Sequence, residues 1–565
     1  MSIAERLDGW GRGVRAPLLA ALLALIAGLP GVLAVPPIDR DESRFAEASA
    51  QMLETGDFTT IRFQDQPRFK KPVGIYWLQA VAVAVASHVE DRRIWPYRLP
   101  SLAGAMLAAG ACAWGAGAFL RPGLALLAGA LMGGGFLLST EAGIAATDAA
   151  LCGVTTLMMA ALARLYLAAR AGSRPSRLGQ ALHKTLMWVA LALSLLLKGP
   201  IGPMVFALTL LALAVLDRRS RWIAELGWGW GLIGVAAITL PWAMAITVTT
   251  DGAFWGQAVS GDLAPKLAGG QEGHAAPFGL HAALAPLLLF PASLLLPGAA
   301  AAGWRYRHEP AVRFALCWLV PSWLVFEAAP TKLIHYTLPL FGALIWLAVR
   351  ALASPLGRLS AGLGGLLAGL TALALAAAGP FAMVSLGAPA AWPWAALTAL
   401  MFTAAGAYGA VEIWRGGALM GVLGALALAI AAHGVMAAGL VPALRPLWLS
   451  ERIARRLAAD RADPRQGVIP GPVTVAGYAE PSLVFLLGTD TVLGDGAAAA
   501  QALAEGRPAI VEQREEPAFR AARKAGAVTA HPAGQVQGLD YSKGRSDILT
   551  IYLPSSANAA SRSKG

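Results

Sequence analysis

Apolar runs long enough, or nearly long enough, to cross a bilayer recur along most of this chain: 17–35, 98–120, 123–139, 147–168, 185–197, 201–216, 222–248, 280–300, 312–327, 333–349, 359–384, 392–413 and 418–440. Backbone in hydrocarbon must satisfy its own hydrogen bonds, so such runs are restricted to helices. A core of about 30 Å takes about 20 helical residues, and the shortest runs need flanking residues to cross. Only 14% of residues are charged and mean hydropathy is +0.58, where a soluble domain carries about a quarter charged. The fold class expected is an all-α polytopic membrane protein. The net charge of +12 does not indicate a nucleic-acid partner, because the basic residues sit in short loops between apolar runs and serve orientation. Cys112, Cys152 and Cys317 all lie in apolar segments without metal-like spacing and read as inert thiols. Arg6, Arg12 and Arg15 precede a first run with no small-residue exit, which reads as an uncleaved helix.

The run 73–88 is short for a crossing, and charge parity decides its place. If it lies flat in the interface and the N-terminus is cytoplasmic, the inside loops hold Arg121, the stretch 164–184, Arg218, Arg219, Arg221, Arg305, Arg307, Arg313, Arg350, Arg358 and Arg415. That obeys the positive-inside rule, whereas a crossing would turn most of them outward. The reading gives about thirteen crossings of about 20 residues each. It brings Asp41, Lys71, Asp148, Lys198, His274 and His335 to the outer face, although the argument used none of them.

Composition shifts after Val441-Pro442. Charge rises and β-branched runs appear at 473–477, 482–487, 508–511 and 548–553, while 452–457 and 517–524 look helical. Residues 1–444 are expected to form the transmembrane part and 445–565 a small outward α/β domain, with a polar tail from 555 that reads as disordered.

Polar residues in such a chain are costly and face a cavity or a partner. Pro36-Pro37-Ile38 is followed by Asp39, Asp41 and Glu42, three carboxylates in four residues at a membrane face. The pair Asp41 and Glu42 opens a helical pattern at Phe45, Ala48 and Met52, so one reading is ordinary dipole compensation. The other is chemistry: a carboxylate that takes a proton or shields positive charge developing at a sugar carbon. Asp148 follows Thr147 at the outer start of a run, as a dipole partner or as a cavity acid. Lys70, Lys71 and Lys198 fall outside, where orientation does not require them, and as point charges they suit a phosphate. Snorkelling to the interface is the alternative for Lys198. The loop 251–279 adds Asp262, Lys266 and His274, and Lys332, His335 and Tyr336 precede the outer start of a later helix. A lone histidine is usually a structural donor and an interfacial tyrosine an anchor.

Taken in order, these pieces resemble the GT-C class of polyprenyl-phosphate-sugar glycosyltransferases. They are most similar to the ArnT-like aminoarabinose transferases, relatives of the protein O-mannosyltransferases. The resemblance rests on Asp41-Glu42-Ser43-Arg44-Phe45, Lys71-Pro72 with Tyr76-Trp77, Asp148, Lys198-Gly199, His274 with Pro277-Phe278, and Lys332-Leu333 with Tyr336 and Leu338-Pro339. It implies Asp41 as principal catalytic carboxylate, accompanied by Glu42, and Asp148 as second acid. It implies a donor-phosphate site of Lys71, Lys198, Lys266 and Tyr336; Lys70 is read from its own charge as a further phosphate ligand, and Asp262, His335 and Lys332 as other cavity residues. It also implies interfacial helices in the first outer loop and an outward C-terminal domain. The family's metal position falls at His274, so a divalent metal (zinc, or magnesium or manganese) is a candidate cofactor, but Lys70 stands where the accompanying glutamate is found, which puts a zinc site at His274 in doubt. Gly279-Leu280 replaces an aromatic pair, so sugar and acceptor can differ from aminoarabinose and lipid A.

The function expected is transfer of a sugar from a polyprenyl (undecaprenyl) phosphate to a periplasmic acceptor, lipid A or another envelope glycolipid, by a monomer in the bacterial inner membrane. A protein hydroxyl acceptor is the enzymatic alternative. A lipid-sugar flippase is the non-enzymatic one, and it is disfavoured because the titratable residues cluster at one face and not near the midplane.

Overall fold

The computed structural model describes residues 2–172, 176–217, 220–265, 275–465 and 469–555, apart from the side chains of Asp262 and Leu263. Among these, nine helices are long and apolar enough to span a membrane, beginning with Arg15–Ala34 and ending with Ala418–Ala443. The first shows the logic. Leu18, Leu22, Ile26, Leu29 and Leu33 are exposed along one stripe, while Ala20, Ala24, Ala27 and Gly31 are buried on the other. Large residues meet lipid and small ones let neighbouring backbones approach. A Cβ at Gly129 would lie 2.5 Å from that of Ala20, and one at Gly104 would lie 2.6 Å from the Ala149 carbonyl, so close approach seats Pro122–Gly133 and Asp148–Ala171.

Two expected spans are broken. The run 123–139 ends as a helix at Gly133 and resumes as Phe136–Glu141, and 280–300 is a pair of helices bent by 116°. The breaks are joined: Phe136 N–H donates to the Phe290 carbonyl at 3.0 Å, so the freed backbone is satisfied inside the protein. Gly74–Ala86 has 13 residues, about 20 Å of helix and short of a bilayer core. One side of it exposes Leu78, Val81 and Val85, while Ile75, Tyr76 and Gln79 are buried. Gln79 accepts from Ser49 at 2.7 Å, tying it to the helix Asp41–Thr55. The three cysteines are free and buried.

The C-terminal region carries a five-stranded sheet in the order Val492–Gly494, Thr474–Ala476, Ala509–Glu512, Arg545–Pro554, Ala530–Asp540. The first three strands are parallel and the last two antiparallel. The run 482–487, expected as a strand, is the helix Pro481–Leu487. A short wholly apolar run does not distinguish the two, and Pro481 at the first helical position settles it as a helix. Ala530–Asp540 holds Pro532, Gly534 and Gly538, residues a central strand avoids; it is an edge strand with a register shift at Pro532/Gly534.

This region is docked, not tethered. Phe485 packs edge-on against Tyr97 at 5.2 Å. Arg92 pairs with Glu47 at 2.6 Å and with Glu54, and Thr489 donates to Glu47 at 2.6 Å. The turn between the last two strands reaches the segment before Asp41: Asp39 N–H donates to Tyr541 Oη at 2.6 Å, and Arg40 donates to the Ser542 carbonyl.

Candidate active site

Pro36-Pro37 ends the first long helix and extends the chain across the top of the bundle. Arg40 then takes φ +65°, a left-handed backbone uncommon for a side-chain-bearing residue, and Asp41 opens the next helix. Asp41 and Glu42 therefore diverge. Glu42, expected as a catalytic partner, is an anchor. It is 2% exposed, meets Arg98 through two 2.8 Å bonds, and accepts from Ile38 N–H at 2.8 Å and Ala145 N–H at 2.7 Å. Arg98 also donates to the carbonyls of Val35 at 2.6 Å and Pro36 at 3.0 Å, locking the first helix end to the turn before Asp148. Asp41 keeps 71% of its side chain exposed and, among the described residues, takes one charged partner, Arg68 Nη2, at 3.2 Å. Arg68 is steered by Tyr76 Oη at 3.0 Å and by the Phe45 ring at 4.8 Å.

Asp41 opens onto a chamber of about 290 Å³, also lined by Arg44, Arg68, Lys70, Lys71, Glu141, Asp148, Lys198, His335 and Tyr336. On the wall opposite, Asp148 starts its helix nearly buried. Lys198 Nζ lies 2.5 Å from Asp148 Oδ1 and His335 Nε2 lies 3.6 Å from the same oxygen. His335 Nδ1 faces Glu141 at 3.5 Å, and the Lys198 ammonium sits 5.5 Å from the Tyr336 ring centre. Lys198 closes its own helix, where a cation complements the dipole. Burial alone would discharge His335, but Asp148 and Glu141 outweigh it and hold the imidazole pKa above its ordinary value. Among the described residues, the chamber thus combines the accessible carboxylate of Asp41 with a wall of cations and a tyrosine ring. That inventory suits a phosphate monoester beside a group that needs a carboxylate.

Lys332, expected near the chamber, turns away. Its Nζ donates to the carbonyls of Ala276 at 3.0 Å and Ala329 at 2.7 Å, where it pins the loop leading to His335. His281 Nε2 meets the Leu333 carbonyl at 3.0 Å and braces the same loop. Lys266 and His274, and the side chain of Asp262, lie outside the described residues. Sequence reasoning missed Arg68, Arg98 and Glu141. Arg98 carried a signal, since a charge at the edge of an apolar run needs a buried partner, and Glu141 carried the same one as Asp148.

Glu141, Asp148 and His335 place ligand atoms within 4.8 Å of one another, the make-up of a cation site. A divalent ion does not fit this arrangement, because the Lys198 ammonium already sits on the Asp148 oxygen and neutralises it.

Residues 34–253 match the family model of dolichyl-phosphate-mannose-protein mannosyltransferases. The chain is 30% identical over 343 residues to an undecaprenyl phosphate-α-4-amino-4-deoxy-L-arabinose arabinosyl transferase of Pseudomonas paraeruginosa, covering 60% of each protein. It is 32% identical over 338 residues to such an enzyme of Sodalis glossinidius, covering 58% of this chain and 57% of the relative. The match therefore spans well under two thirds of these relatives. In fold it is similar to ArnT from Cupriavidus metallidurans bound to undecaprenyl phosphate, with a TM-score of 0.75 at 19% identity, covering 94% of this chain and 97% of that one. The apo form of the same enzyme gives 0.73. The chain is a multi-pass membrane protein with the ArnT fold, and the GT-C resemblance drawn from ordered motifs is found independently by sequence and by fold.

Proposed function

We propose that this chain is an inverting glycosyltransferase that moves a sugar from undecaprenyl phosphate or a similar carrier to a glycolipid acceptor such as lipid A. The observation that carries the proposal is the chamber itself: Asp41 exposed on one wall, with Lys70, Lys71, Lys198 and Tyr336 among its other lining residues. In this reading residues 1–444 cross the inner membrane about thirteen times, each core about 30 Å thick, with Gly74–Ala86 lying flat. Residues 445–565 then sit in the periplasm over the chamber.

The carrier phosphate binds among Lys70, Lys71 and Lys198, with Lys266 of the neighbouring loop as a further candidate. The acceptor oxygen attacks the anomeric carbon from the side of Asp41, and the bond from that carbon to the phosphate oxygen breaks with its electron pair leaving on the carrier. A hydroxyl acceptor gives its proton to Asp41; a phosphate acceptor, already deprotonated, is oriented there. Negative charge grows on the departing phosphate, so the lysines act most strongly in the transition state, where removing one donor costs on the order of 3 kcal/mol. Asp148 and Glu141 hold Lys198 and His335 in place.

Membranes given a radiolabelled polyprenyl-phosphate sugar test this directly. Transfer to lipid with release of free carrier phosphate is the expected result, lost in Asp41→Asn and Lys71→Ala while both variants still insert. Full activity in both variants overturns the assignment. A protein hydroxyl acceptor is the second reading, favoured by the mannosyltransferase family match, and label in protein instead of lipid would select it.

A further inference from the structure

A second cavity, about 810 Å³, opens where three candidate spans end together: the C-terminus of Arg15–Ala34, the N-terminus of Pro389–Trp414 and the C-terminus of Ala418–Ala443. Ligand pockets run to about 300–1,000 Å³, so it admits a lipid headgroup. Its composition is divided. Ala34, Ala390, Pro442 and Ala443 give an apolar floor level with the span ends, and the rings of Trp394 and Trp448 stand on it. Trp394 is packed on Gly439, where a Cβ would lie 2.2 Å from the ring, and Trp448 Nε1 donates to the Val441 carbonyl at 2.9 Å. Tryptophan in such a place marks the water-lipid boundary.

Above the floor stand Arg445, Arg452, Arg455 and Arg456, against one lining carboxylate, Glu451. Glu451 is taken by Arg455 at 2.5 Å, and Arg456 is held by Asp460 at 2.9 Å and the Ala533 carbonyl at 2.6 Å. Arg445 and Arg452 have no carboxylate partner among the described residues. Arg452 is oriented by the Gln537 carbonyl at 2.7 Å, and burial together with the charge of Arg445 holds its pKa below the ordinary guanidinium value. Two guanidinium groups side by side without a counter-charge, over an apolar floor, are complementary to a phosphate carried on acyl chains.

The same stretch of backbone walls both cavities. Pro36 lines this one and Asp41 the chamber, and five extended residues span at most about 18 Å. We propose that the arginine cavity is the subsite for a phosphate on the acceptor lipid's headgroup, anchoring it while the receiving oxygen reaches Asp41. This rests on lipid-directed transfer at Asp41. It adds a specificity determinant on the C-terminal region: the acceptor must carry an anionic group remote from the position modified.

The test uses the full chain in nanodiscs with bis-phosphorylated lipid A and its singly phosphorylated form as probes. In Arg445→Gln/Arg452→Gln the KM for bis-phosphorylated lipid A should rise about tenfold, with donor KM and kcat at saturating acceptor unchanged. The variant should also lose the wild-type preference for the second phosphate. Native mass spectrometry reads lipid A binding without transfer, so binding that fails while wild-type transfer proceeds sinks this proposal alone. Absent transfer with retained, arginine-dependent binding would instead sink the functional reading. Arg455→Gln, on a largely exposed side chain, guards against misfolding and should raise the acceptor KM to a smaller extent. An unchanged acceptor KM in both variants, a donor KM that rises equally, or phosphatidylglycerol that binds as well as lipid A and is the only lipid lost in the variant, each overturns the proposal.

Discussion

Two walls of the chamber carry an aspartate each, and they are built on opposite plans. On the wall of residues 38–45, Asp41 is 71% exposed and shares one oxygen with one arginine. On the facing wall, Asp148 is 10% exposed at its side chain and one oxygen meets both Lys198 and His335. A carboxylate with a free edge can orient an acceptor or take its proton. One nearly buried and paired with two cationic side chains cannot, and its work is to keep those cations aimed. Within the first wall the same contrast recurs between neighbours, since Glu42 is spent on Arg98. Adjacent acids thus separate into reagent and scaffold according to burial and not according to type.

The largest effect that tests this contrast is on catalysis. Asp41→Asn should lower transfer by about 10²–10⁴-fold with thermal stability unchanged, whereas Asp148→Asn should weaken donor binding and lower stability as well. Equal loss of kcat alone in both would erase the distinction. Glu42→Ala comes next: a guanidinium left buried without its partner costs about 3–5 kcal/mol, seen as a fall in Tm of the detergent-solubilised protein. A stable Glu42→Ala that is merely inactive would return Glu42 to the catalytic set.

Two pH effects are smaller. Because the pKa of His335 is raised by Asp148 and Glu141, the contribution of its imidazolium is full below the ordinary value of 6.5 and lost as pH rises through the raised one. Donor KM should climb over that alkaline window, and His335→Gln should flatten the limb. Asp39, held mainly by burial at a pKa of about 7, sits beneath the C-terminal region, where its Oδ1 accepts from Ser482 N–H at 3.1 Å. The folded state there binds more protons than the unfolded chain, so stability should fall as pH rises from about 4 to 7. Asp39→Asn should remove that slope, as read from Tm against pH, and Tyr541→Phe should cost about 1 kcal/mol at any pH.

Much of the fold was legible because hydrocarbon is an unforgiving solvent: backbone in an apolar run has to satisfy its own hydrogen bonds, and the runs are largely helical, Gly74–Ala86 among the shorter ones. The breaks at Gly134-Gly135 and after Leu288 were less legible, since a chain that finds hydrogen bonds inside the protein leaves no polar mark in its sequence. In the C-terminal region 482–487 was misread because all-round burial erases the periodicity that separates strand from helix. Of the site, Asp41, Lys70, Lys71, Asp148, Lys198, His335 and Tyr336 do meet in one chamber, while Lys332 turns to backbone carbonyls.

The sequence by itself determined where lipid-soluble helices form and which charges stand at their ends, because transfer free energy is local and additive along the chain. Tertiary structure alone decided which charge meets which. Arg68 on Asp41, Arg98 on Glu42, Lys198 on Asp148, and Arg445 and Arg452 with no carboxylate partner among the described residues, are indistinguishable as letters. Coulomb energy and desolvation depend on separations of a few ångströms that only the packed helices and the docked C-terminal sheet supply.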